Sequence, residues 1–94
     1  MTQEIKLNLP KDFTKLAGNK YGKGIYQTQV KDIIDLNGKI VFVFPDQIDR
    51  AASSFVQGFF DEIIKKIGIE GIKSQIDFTT NIPDFKQFVI DNLE

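Results

Sequence analysis

The sequence predicts a small α/β sandwich, with helices packed on a largely parallel or mixed sheet in β-α-β-α-β-α order. Three observations carry that expectation. Lys39-Ile40-Val41-Phe42-Val43-Phe44 is an apolar run of β-branched and aromatic residues ended by Pro45, as expected of a strand inside a sheet. Phe55, Val56, Phe59, Phe60, Ile63, Ile64 and Ile67 then recur at helical spacing. Strand patterns that alternate with helical ones imply parallel pairing through crossovers. At 94 residues, the chain is read as one domain over 1–94, without linker, repeat or low-complexity tract.

The elements follow in order. Glu4-Ile5-Lys6-Leu7-Asn8-Leu9 alternates polar and apolar, which predicts an edge strand with one buried face, stopped by Pro10. Residues 11–24 carry Gly18, Gly22 and Gly24 without a clear period and read mostly as loop. Tyr26, Val30, Ile33 and Ile34 predict a helix over 25–36, ended by Asn37-Gly38 as a left-handed C-cap. The run Lys39–Phe44 is expected to be the central strand, covered on both faces because it lacks polar alternation. The long helix after it should end at Gly68, with Lys65 and Lys66 in its last turn. Ile72 to Thr80 reads as a third strand with Ile76 and Phe78 on one face. Asn81-Ile82-Pro83 is expected to open a last helix that buries Phe85, Phe88, Val89 and Leu93.

Composition excludes several chemistries. The chain has no His and no Cys, which removes a Ser-His-Asp triad, a cysteine nucleophile and the usual zinc sites. The expectation is therefore no enzyme, no catalytic residues, no metal and no cofactor. No apolar run approaches the roughly 20 residues that span a bilayer, and the N-terminus lacks a basic flank and apolar core. With no disulfide framework either, a cytoplasmic protein with no membrane partner is expected. Net charge is −1 but uneven: residues 1–31 carry +4 and residues 32–94 carry −5.

Ser53 and Ser54 stand at the start of the strongest helical stripe. Ser54-Phe55-Val56-Gln57 fits a capping box, with Ser54 as N-cap and Gln57 reaching back; alternatively Asp49 caps a longer helix. A hydroxyl at a helix start is also where an added phosphate would meet free N–H groups and the positive end of the dipole.

The block Ile40-Val41-Phe42-Val43-Phe44, a loop, then Ala52-Ser53-Ser54-Phe55-Val56-Gln57-Gly58-Phe59-Phe60 resembles the STAS-like family of unknown function. That family is related to the STAS domains of bacterial anti-sigma-factor antagonists. The similarity is strongest over 38–67. It implies a bacterial regulatory module whose partner is a histidine-kinase-like ATPase or an anti-sigma factor. It also implies a phosphoacceptor serine at Ser54, with Ser53 as its neighbour. The antagonists carry an acidic residue before the pair and a glycine after it, where this chain has Ala52 and Phe55.

The leading expectation is a noncatalytic protein–protein interaction module acting through the loop and helix start at 46–60, with Asp46, Asp49, Arg50, Ser53, Ser54 and Gln57 as partner-binding residues. Asp46 and Asp49 read first as turn and cap residues, and as metal ligands only weakly. The alternative is nucleic-acid or nucleotide/anion binding by Lys20, Tyr21 and Lys23 in the glycine-bearing stretch 18–24, with Tyr21 stacking on a base. That stretch fails the phosphate-loop pattern, since Gly24 stands where a Ser or Thr is needed.

Overall fold

Three strands form the main sheet: β1 (Thr2–Lys6), β3 (Lys39–Val43) and β5 (Ile76–Thr79). The computed structural model describes residues 2–94. The strands pair in the order β1-β3-β5, all parallel, with Ile5 opposite Phe42 and Phe42 opposite Phe78. The apolar run at 39–43 is thus the central strand, and the alternating N-terminal segment is an edge. A second, two-residue parallel ladder joins β2 (Lys15–Leu16) to β4 (Arg50–Ala51). The helices are α1 (Asn19–Ile25), α2 (Ser53–Phe59), α3 (Asp61–Gln75) and α4 (Phe85–Leu93). The main order matches the expected alternation, and the result is an α/β sandwich built on a parallel sheet.

Only one face of that sheet is fully covered. Ile5, Ile40, Phe42, Phe44 and Ile76 are buried, and they pack with Phe55, Phe59, Phe60, Ile63, Phe85 and Val89 from the helices. Phe42 sits 5.2 Å from Phe59 and 6.0 Å from Phe60, edge to face in both cases. Phe78 reaches Phe85 at 4.8 Å. On the opposite face Val41 and Val43 are half-buried, in rows flanked by the exposed Glu4, Lys6, Asp77 and Thr79. The expectation that both faces of the central strand are covered is therefore corrected. The polar residues of its neighbours, rather than a second helical layer, border the valines.

Helix boundaries differ from the sequence reading in five places. The stretch 18–24 is not a loop. It holds α1, which continues into a π-helical turn over Tyr26–Val30, where the Lys31 N–H reaches the Tyr26 carbonyl at 2.8 Å. That helix gives way to turns after Val30, so residues 31–36 are not helical and Gly38 does not adopt the left-handed conformation. The long stripe breaks between Phe59 and Asp61, dividing α2 from α3. Gly68 does take a positive φ of 70°, as a helix end demands, but a second helical segment follows and the third strand begins only at Ile76. Finally, Pro83 lies outside the last helix; Asp84, with φ 53°, is the residue that precedes it. Phe85, Val89 and Ile90 are its buried side, with Phe88 and Leu93 packed against the core.

Candidate functional site

The start of α2 is placed by the short β2–β4 ladder. Pro45-Asp46-Gln47-Ile48 forms a turn closed by the Ile48 N–H on the Pro45 carbonyl at 3.1 Å. Ile48 is buried and anchors the loop. The Asp49 N–H then donates to Thr14 and the Ala52 N–H to Leu16, at 2.9 and 2.7 Å. These bonds zip segment 49–52 onto 14–16, so the chain enters α1 and α2 side by side.

The N-cap of α2 is Ala52, in extended conformation, with no side-chain capping bond. Its carbonyl accepts from the Phe55 and Val56 N–H groups at 3.1 and 3.3 Å. Ser54 is therefore not the cap, Gln57 is exposed rather than closing a capping box, and Asp49 does not cap the helix. The Ser54 hydroxyl has another role: its oxygen accepts the Gly18 N–H at 3.1 Å, across 36 residues of sequence. Ser54 is half-buried by this arrangement, whereas Ser53 is exposed. Phe55 is fully buried.

α1 and α2 cross in close contact, and glycines make that possible. A Cβ on Gly22 would collide with the backbone of Phe55 and Phe59, and one on Gly58 with the Asn19 carbonyl. The glycines at 18–24 thus include one required by helix packing and one, Gly18, required by its φ of 99°. Lys20 and Lys23 are exposed on α1. Tyr21 lies between Phe13 and Phe55, with ring centroids 6.0 Å from each, and burial pushes its phenol pKa up. The loop reading of this stretch is corrected accordingly: the segment is helical, and the Tyr21 ring is packed between two other aromatics.

The partner-binding residues inferred from sequence are largely on the surface. Asp46, Asp49, Arg50, Ser53 and Gln57 are exposed. Arg50 Nε lies 4.0 Å from the Asp49 carboxylate, a solvent-facing contact of little energetic weight. Asn81 donates to the Asp46 carbonyl at 2.8 Å, which ties this loop to the turn before α4. Among the described residues there is no group of three or more acidic side chains placed to hold a metal ion.

Sequence reasoning missed what lies beside this loop. Arg50 and Ala51 form one wall of a groove of about 420 Å³, and Ile82, Pro83, Asp84 and Phe88 belong to the same groove. Its lining is mixed: Ala51, Ile82, Pro83 and Phe88 are apolar, Gln87 is polar, and Arg50, Asp84 and Asp91 are charged. Reading Asn81–Pro83 as the first turn of a helix hid this groove. The left-handed Asp84 delays the helix and leaves Ile82 and Pro83 in a loop. Among the described residues no helix is long and apolar enough to cross a membrane.

Comparison with protein-family models, with characterised proteins and with solved structures finds no match to this chain.

Proposed function

We propose that this chain is a noncatalytic regulatory module that binds a protein partner through loop 46–52, the start of α2 and the adjoining groove against α4. The observation that carries the reading is the groove itself. Ala51, Ile82, Pro83 and Phe88 give the groove apolar surface beside the exposed Asp49, Arg50 and Ser53. A concave apolar surface with a few fixed charges is what a partner side chain needs for burial and orientation. The resemblance to STAS-like domains points to the same stretch, and to a histidine-kinase-like ATPase or anti-sigma factor as the partner.

A charge switch fits this surface in two ways. Ser53 offers a free hydroxyl at the rim, where phosphate would change the face that a partner meets. At Ser54 the same modification would act through the bond to Gly18 and so through the α1–α2 junction.

Affinity capture from the host lysate tests the reading, with wild type compared against Arg50→Glu and Ser53→Asp. Both positions are exposed, so neither change should unfold the domain. A regulator or ATPase recovered with wild type and lost with both variants supports the reading. Equal recovery with all three proteins rejects this surface.

A further inference from the structure

A second cavity, away from the surface just described, lies where α1 and its π-helical turn meet the start of α3. Its volume is about 120 Å³, and Lys23, Tyr26, Gln27, Gly58, Asp61 and Glu62 line it. Tyr26 is 1% exposed, yet its hydroxyl has no hydrogen-bond partner in the chain. Oε2 of Glu62 is likewise buried and without a partner. Buried polar groups are nearly always paired, so two orphans lining one cavity call for an explanation.

We propose that this cavity binds a small protonated amine, with Glu62 as its anionic partner and the Tyr26 hydroxyl as a second hydrogen-bonding group. Four observations select that class. A carboxylate oxygen can only accept, so whatever meets Glu62 must donate, and a phenol oxygen can accept a second bond from the same donor. The carboxylate left over is Glu62: Asp61 is already paired with Lys65 at 3.3 Å, while Glu62 forms no ion pair among the described residues. An anion would face both carboxylates, with Lys23 as the lining cation. No group of three or more acidic side chains lies here among the described residues to favour a divalent cation. Size sets the last limit. The space, about 120 Å³, suits an amine of a few heavy atoms.

Tyr26 is suited to this role in its neutral form. Burial raises its phenol pKa, and the charge of Glu62 raises it further. The hydroxyl therefore stays protonated across the neutral range.

Amide chemical shifts recorded during titration with methylammonium chloride test the site, with sodium chloride and sodium acetate at equal concentration as controls. Saturable shifts centred on Tyr26, Gln27 and Glu62 are expected with methylammonium alone. Glu62→Gln should weaken that binding at least tenfold, and Tyr26→Phe by a smaller factor. Both variants keep the shape of the side chain, and a melting curve confirms that each is folded. Shifts reproduced by sodium chloride, or an affinity unchanged in Glu62→Gln, would overturn the proposal. So would a silent wild type alongside a Lys23→Met variant that binds, because Lys23 would then be the amine that fills the site.

Discussion

Gly18 donates its backbone N–H to the hydroxyl oxygen of Ser54 at 3.1 Å, joining the residue before α1 to the second residue of α2. The bond is partly buried. It gives Ser54 a structural task quite different from capping its own helix. The neighbouring Ser53 makes no such contact and is exposed.

Ser54→Ala should therefore destabilise the fold by about 1–2 kcal/mol, because it leaves the Gly18 N–H without its acceptor. Ser53→Ala should change stability by less than about 0.5 kcal/mol, as for other exposed positions. Urea denaturation of the two variants separates the roles. Equal effects at both positions would show that the bond to Gly18 carries no weight.

The three glycines of α1 and α2 should respond in opposite directions. Gly22→Ala and Gly58→Ala each place a methyl group against backbone that cannot rotate away, and a loss of about 1–3 kcal/mol is expected. Gly24 has nothing within 4 Å of the position its Cβ would occupy. There, alanine should stabilise the helix by about 0.5–1 kcal/mol by restricting the unfolded chain and favouring helix. Denaturation midpoints measured on all three variants test the crossing. A tolerated Gly22→Ala would mean that the helices lie farther apart than described.

Those glycines also show what the sequence could and could not disclose. The central strand was legible because Ile40, Phe42 and Phe44 need no context to read as sheet. The stripe from Phe55 to Ile67 was legible for the same reason, as was the positive φ at Gly68. Helix α1 was hidden because Gly18, Gly22 and Gly24 read locally as breakers. Only the approach of α2 explains why Gly22 belongs inside a helix. Ser54 failed as a cap because the helix starts two residues earlier, at Ser53, which places the Ser54 hydroxyl toward Gly18. The loop at 46–52 was legible from Pro45 and Asp46 as turn residues, but the groove beside it was not. It depends on Asp84, whose left-handed backbone no local signal announced. The covering of the central strand was misjudged because its polar neighbours, Glu4 and Asp77, come from strands distant in sequence.

The orphaned phenol of Tyr26 makes alkaline pH a probe of the core. Burial and then the Glu62 charge raise its pKa in the folded state above the ordinary value near 10. Above about pH 10 the unfolded chain loses this proton while the folded chain keeps it. The unfolded state then binds fewer protons, so stability is fully present below that pH and falls as pH rises toward the folded-state pKa. Tyr21, also raised by burial, contributes in the same direction. In Tyr26→Phe the decline between pH 9 and pH 11 should be shallower than in wild type, with only Tyr21 remaining to drive this tyrosine contribution. At neutral pH the same variant removes an unpaired buried hydroxyl, so it should be neutral or stabilising by about 1 kcal/mol. Urea midpoints for both proteins at pH 7, 9 and 11 check the two signs together. A variant as alkali-sensitive as wild type would show that Tyr26 is not the group that titrates.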